Sequence, residues 1–229
     1  MKSTTALWLI LVFLISSSTT MDTDPGWKSL FNGKDLSQWT VKCFEKDKEL
    51  TAWFVEEGVI VGQTFDTTHN KIWLYSNEQF YNFRLRFKYQ VEQGNPCNSG
   101  VVMRGLWDPT EHDNQGVLNG PQVDLSSRGW DGAIYDETVG SRDWLVKDMS
   151  NEVTVWAPSW NEMDIQFLDM QLTVWINGEK VTDFDGEGIF NDQNHKDKQV
   201  ACVPGHIGLQ IHSPEIMRIA FKDIEIKEL

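Results

Sequence analysis

No two cysteines of the chain form a CxxC pair, and only three, Cys43, Cys97 and Cys202, occur in 229 residues. Their spacing supplies neither a dithiol redox motif nor a zinc site. All three are read as structural, either as small buried residues or with one pair bridged, and spacing does not choose the pair. Positive charge is also scarce: 20 Lys and Arg stand against 34 Asp and Glu, a formal net charge of -14. A phosphate-binding surface needs a basic patch, so nucleic acid is disfavoured as a partner. Long hydrophobic runs are missing too. The longest, residues 6–15 (ALWLILVFLI), has 10 residues, half of the roughly 20 that a membrane-crossing helix requires, so the chain is not expected to span a membrane.

That short run follows Lys2 and precedes Ser16, Ser17 and Ser18. Charged, apolar and small-residue regions in this order make a secretory leader. Residues 1–20 are therefore read as a cleaved signal peptide, and 21–229 as one secreted or periplasmic domain. What the chain has in excess is tryptophan, 11 residues against 4 Tyr. Trp8 belongs to the leader.

Helical periodicity never lasts three turns, whereas period-two alternation recurs along the chain and places successive side chains on opposite sheet faces. Phe83, Leu85, Phe87, Tyr89 and Val91 alternate with Arg84, Arg86, Lys88 and Gln90, which predicts a strand with one buried side. Residues 53–62 read as a hairpin turned at Glu57-Gly58, and 172–183 as one turned at Asn177-Gly178, a pair that tolerates the positive φ of a type I′ turn. Residues 206–213 and 217–227 add two strands. The acidic interval 183–198 lacks the EF-hand spacing and reads as a solvated loop. With no repeat or linker, one all-β unit is expected: a single antiparallel β-sandwich, a jelly roll.

Four strands gather polar residues on one face. Asn98, Gly100, Val102 and Arg104 alternate with Val101 and Met103. Gln122, Asp124 and Ser126 oppose Val123 and Leu125. Tyr135 shares a face with Glu137, while His206, Gly208, Gln210 and His212 oppose Ile207, Leu209 and Ile211. Adjacent in one sheet, these would make a concave surface for a polyhydroxylated ligand, with Trp rings to stack on the C–H face of a sugar.

The opening Trp27-Lys28-Ser29-Leu30-Phe31-Asn32-Gly33-Lys34-Asp35-Leu36-Ser37-Gln38-Trp39 resembles the W-x-x-L-F-N-G-K-D-L-x-x-W start of the 3-keto-disaccharide hydrolase family. The similarity continues in order through Asn98-Ser99-Gly100, Gly120-Pro121-Gln122-Val123-Asp124, Gly132-Ala133-Ile134-Tyr135, Trp160-Asn161, Ile176-Asn177-Gly178, Gly208-Leu209-Gln210-Ile211-His212 and Asp223-Ile224-Glu225-Ile226. The resemblance implies a concanavalin A-like fold and action on glycosides whose C3 hydroxyl is oxidised to a ketone, with a sugar 3-oxidoreductase as pathway partner. The related pattern often carries Glu in place of Asp124 and Gly in place of Asp136. Retaining glucanases of similar fold use an E-x-D-x-x-E strand. Here the nearest string, Glu162-Met163-Asp164-Ile165-Gln166-Phe167, ends on Phe, which argues against that mechanism.

A C3 ketone acidifies the C2 hydrogen, so a base can remove it and the enolate can expel the C1 substituent, after which water adds. Asp124 or Glu137 is the expected base, Arg104 or a divalent cation the group polarising the ketone, and His212 the acid. Asn98, Gln122, Tyr135 and Gln210 would hold sugar hydroxyls, with Trp107, Trp130 and Trp144 as stacking rings. No metal site is identified, although Asp124, Glu137 and Gln210 offer hard oxygen ligands for calcium. The alternative to the enzyme is a non-catalytic, lectin-like carbohydrate-binding module.

Overall fold

The computed structural model describes residues 25–92, 97–126, 129–148 and 158–229. The leader, residues 1–20, lies outside the described residues. Two antiparallel sheets pack face to face as a sandwich. The outer sheet runs β14 (Glu179–Asp185), β13 (Gln171–Ile176), β12 (Asn161–Leu168), β6 (Phe83–Val91), β16 (Arg218–Glu228), β4 (Val59–Gln63) and β3 (Trp53–Glu56), with β1 (Lys28–Ser29) on β16. The second sheet, which carries the candidate site, runs β11 (Asp143–Val146), β10 (Ile134–Asp136), β9 (Pro121–Ser126), β7 (Asn98–Asp108), β15 (His206–Ile211), β5 (Ile72–Ser76) and β2 (Trp39–Lys42), with β8 (Val117–Asn119) on β7.

The period-two reading holds residue by residue in β6, where Phe83, Leu85, Phe87, Tyr89 and Val91 are buried and the intervening residues are partly exposed. They meet Val101, Met103, Val123, Leu125, Ile207, Leu209 and Ile211 of the opposite sheet in one apolar core, where each fully buried large side chain contributes about 1.5–3 kcal/mol. On the solvent side of β6, Arg84 pairs with Asp164, Arg86 with Glu225 and Lys88 with Asp223. Such exposed pairs contribute at most about 1 kcal/mol each, so the inward face decides where the strand sits. Both expected hairpins form, with positive φ at Glu57 and Gly58 and at Asn177 and Gly178. None of the three cysteines is in a disulfide; Cys97 is buried and the others are partly so.

Two expectations are corrected. The interval 183–198 is not merely a solvated loop. After β14 ends at Asp185 it forms α2 (Gln193–Lys198), the helix that follows α1 (Glu111–Asn114) in the chain, N-capped by Asp192, whose side chain accepts from the His195 N–H, and His195 is fully buried. The second correction is Arg104. Simple alternation puts it on the face of Asn98 and Gly100, but it has a positive φ of 47°. The β7–β15 register also shifts between His206 and Gly208. The bulge breaks the alternation and turns the side chain out of the ligand face. Its guanidinium donates to the carbonyls of Tyr81 (2.6 Å), Asp169 (2.6 Å), Ala201 (2.7 Å) and Phe167 (3.2 Å) and to Asn82 Oδ1. A Cβ on Gly205 would lie 2.3 Å from the Arg104 carbonyl carbon, so the chain passes here only as glycine.

Arg104 is thus a structural clamp. Arg104→Ala is expected to cost about 3 kcal/mol or more, because four carbonyls lose their donor. Arg104→Lys should recover little, since one ammonium does not span a planar fork of acceptors. Urea unfolding measures the loss, and an unchanged unfolding free energy in Arg104→Ala would remove the clamp.

Candidate active site

Strand pairing brings most of the polar residues together. Gly100 of β7 lies between Asp124 of β9 and Gln210 of β15, and Val102 between Gln122 and Gly208. Tyr135 of β10 pairs with Gln122 on one side and Trp144 of β11 on the other. Gly100 is required by its neighbour: a Cβ there would lie 2.4 Å from Gln122 Cδ, so the Gln122 side chain lies across bare backbone. From that position Gln122 Nε2 donates to Asp124 Oδ1 at 2.8 Å.

Glu137 follows β10, and its main-chain N–H donates to Gly120 O. Its carboxylate is buried, and Oε1 accepts from Gln210 Nε2 at 2.9 Å and from the Lys71 ammonium at 2.5 Å. Lys71 was not anticipated. The signal for it was present, because Lys71, Trp73 and Tyr75 alternate along the β5 segment and share a face. Among the described residues, three buried oxygens here, Glu137 Oε2, Gln122 Oε1 and Gln210 Oε1, have no hydrogen-bond partner, and neither does the indole N–H of buried Trp73, which pairs with Gln210 across β5 and β15. A buried acceptor without a donor costs about 1–3 kcal/mol, so these atoms form a surface suited to a ligand rich in hydroxyl groups.

The two carboxyl groups stand in different settings. Burial pushes Asp124 up to about 7, against the pull of the Gln122 hydrogen bond, and the Glu137 charge adds to the rise. Behind it, Asp131 is also pushed up to about 7 by burial, although Tyr89 Oη donates to its Oδ1 at 2.9 Å. Tyr135 is raised as well, by burial first and by the charge of Glu137. Glu137 has the Lys71 ammonium in contact, whereas the side-chain hydrogen bond on Asp124 comes from the neutral Gln122 amide and the Lys71 charge lowers it less than burial raises it.

Aromatic residues border this group on two sides. Trp144 stands edge-on to both Tyr135 (5.3 Å between ring centres) and Trp130 (5.4 Å), with Lys147 near both indoles. Trp107 packs edge-on against Trp73 at 5.8 Å. It belongs to the hairpin of β7 and β8, which folds over the ligand face so that Leu118, Val117, Val102 and Trp73 form a second apolar cluster. Val102, expected to face the ligand, is covered by this hairpin. His212 lies just past β15, its main-chain N–H on Asn98 O. That places Asn98 and His212 together at one end of the site, while the groups seen on Glu137 are Lys71 and Gln210.

The chain matches the 3-keto-alpha-glucoside-1,2-lyase-like domain over residues 26–227. It belongs to that family. The lyase-like domain is also similar in structure to a candidate glycosyl hydrolase from Parabacteroides distasonis ATCC 8503, with a TM-score of 0.59 and 21% identity over 89% of this chain and 94% of that one. The carbohydrate-binding module CBM66 from Bacillus subtilis matches with a TM-score of 0.57 and 10% identity, over 83% and 96% of the two chains. The exoplasmic/lumenal domain of VIP36, in a Ca2+/Man3GlcNAc-bound form, matches with a TM-score of 0.57 and 10% identity, over 87% and 86%. No curated protein sequence matches. At these identities the structures establish the fold alone, a lectin-like jelly roll. No helix among the described residues is long and apolar enough to cross a membrane.

Calcium in the bound VIP36 form raises the question of a cation here. The Lys71 ammonium already supplies positive charge to Glu137. Among the described residues, no group of three or more His, Cys, Asp or Glu is arranged to hold a metal.

Proposed function

We propose that the protein is an exported enzyme acting on 3-keto-glycosides or 3-keto-disaccharides, supplied by an oxidoreductase that oxidises the C3 hydroxyl. The observation that carries this reading is the pair of carboxyl groups in opposite settings, Glu137 against an ammonium and Asp124 pushed up to about 7. A carboxylate ion-paired with an ammonium and a second carboxyl group held neutral by burial supply a base and an acid.

Glu137 takes the C2 proton, and the C–H electron pair becomes the enolate across C2 and C3. The Lys71 ammonium, holding Glu137 with one N–H, has others for the developing oxyanion, the role first given to Arg104. The ketone re-forms as the C1–O bond breaks, and Asp124 rather than His212 passes its proton to the leaving oxygen. Water then adds, with hydroxide to C1 and a proton to C2, giving the free 3-keto sugar. Gln122 and Gln210 accept from sugar hydroxyls, while Tyr135, Trp144 and Trp130 border the leaving group.

Incubation with p-nitrophenyl 3-keto-glucosides of both anomeric configurations in deuterated water tests the reading. Nitrophenol release with deuterium at C2 of the sugar is expected. Tight binding without release or exchange would leave the carbohydrate-binding module, which the likeness to CBM66 and the unpaired acceptors also support.

A further inference from the structure

Behind the site, on the opposite side of β10, lies a buried charged cluster that the proposed reaction does not use. Asp136 stands between Tyr135 and Glu137 in sequence, and the alternation points its side chain away from theirs. It is fully buried, its Oδ1 accepts from the Thr138 N–H at 2.9 Å, and its Oδ2 lies 3.0 Å from His195 Nε2, an ion-pair contact whose N–H is not aligned as a hydrogen bond. The other ring nitrogen, Nδ1, meets Asp192 Oδ1 at 2.8 Å, and that oxygen also accepts the His195 N–H. The histidine thus joins two carboxylates, one at the start of α2 and one at the end of β10. Burial works against its charged form, but Asp136 first and Asp192 second outweigh it and raise the imidazolium above the ordinary histidine range.

The same short helix holds the segment after Glu137 at further points. Asn194 Nδ2 donates to Val139 O (3.1 Å) and to Ser141 Oγ (2.8 Å). Lys198 pairs with Glu111 and Asp108 on the hairpin that covers the ligand face. A solvated loop needs none of this, and an isolated buried carboxylate such as Asp136 costs several kcal/mol unless it is compensated.

We propose that His195 is a positioning residue for Glu137: by clamping Asp136 to the start of α2 it fixes the end of β10 and holds the Glu137 carboxylate at Lys71 and Gln210. The catalytic part of this inference rests on the function proposed above; the positional part does not. A side chain that positions a base without touching substrate should affect kcat more than KM, because its contribution is to the geometry of the reacting group.

Two variants of similar size separate the clamp from simple packing. His195→Phe fills the space without a donor, and His195→Gln keeps one N–H for Asp136. Both are first checked by circular dichroism and thermal unfolding. In the absence of sugar, hydrogen exchange is then measured at the amides of Glu137, Thr138 and Val139, which bond to Gly120 O, Asp136 Oδ1 and Asn119 Oδ1. The expected result is a tenfold or greater loss of protection at these amides in His195→Phe, largely restored in His195→Gln, with the β9 amides unaffected. Kinetically, kcat for nitrophenol release should fall tenfold or more in His195→Phe with KM within about twofold, and recover in His195→Gln. Unchanged protection in His195→Phe, or an equal loss across the whole sheet in both variants, would overturn the clamp. If the unsubstituted protein releases no nitrophenol but the exchange pattern holds, the proposed reaction fails and the positional inference stands. If it turns over and the exchange is unchanged, the reverse holds.

Discussion

Glu137→Gln is expected to lower kcat on the order of a thousandfold and to remove deuterium incorporation at C2, with KM changing by a few fold at most. The magnitude follows from the typical contribution of a positioned general base, about 10²- to 10⁴-fold. Glutamine keeps an oxygen for the Lys71 ammonium and for Gln210 Nε2, the two donors that hold Glu137 Oε1, so substrate should still enter. It lacks the basicity to take a carbon-bound proton. Steady-state release of nitrophenol, together with NMR detection of C2 exchange, measures both quantities. A variant that exchanges at the normal rate but releases slowly would move Glu137 from base to acid. A variant normal in both would place the base elsewhere.

Asp124→Asn should give the second large effect, and it has two opposite signs. As the acid, Asp124 must be protonated. Because burial raises it to about 7, kcat/KM should be level below that pH and fall above it. In the asparagine variant kcat should be lower by about 10²-fold or more for a leaving group of ordinary alcohol basicity, with much less loss for nitrophenolate, which departs without a proton. Stability should move the other way. An unfolded Asp ionises near 3.9, so the folded state, which favours the neutral form, loses stability as pH rises from about 4 to 7, by roughly 4 kcal/mol in all. Asn has no such loss. The gap in unfolding free energy between Asp124→Asn and the unsubstituted protein should therefore widen in the variant's favour across that window. A constant gap would show that Asp124 is charged in the folded protein, and would remove its role as acid.

Much of this site was legible as sequence, and the parts that were not share a cause. Gln122, Asp124, Tyr135 and Gln210 were found because each sits on a regular strand, where alternation alone decides the face. Glu137 followed from Tyr135 by the same count. Arg104 was misplaced because a bulge breaks the two-residue period, and positive φ at an arginine has no signature in composition. His195 was hidden in an interval of acids and amides that reads as solvated, because the buried carboxylate it meets, Asp136, is 59 positions away. Lys71 stood in plain alternation with Trp73 and Tyr75, but its significance depends on Glu137, which reaches it only across the sheet.

The order of residues by itself determined the sheet-forming pattern, the inward face of each regular strand, the two hairpin turns and the family. These depend on backbone geometry and near neighbours, which are written consecutively along the chain. Only the tertiary structure decided that Arg104 clamps four carbonyls, that Glu137 has an ammonium beside it, that Asp124 is held up to about 7, and that His195 joins α2 to β10. The protonation of a carboxyl group is set by how much water surrounds it and which charges stand within a few ångströms, and in this fold those neighbours come from strands far apart in sequence.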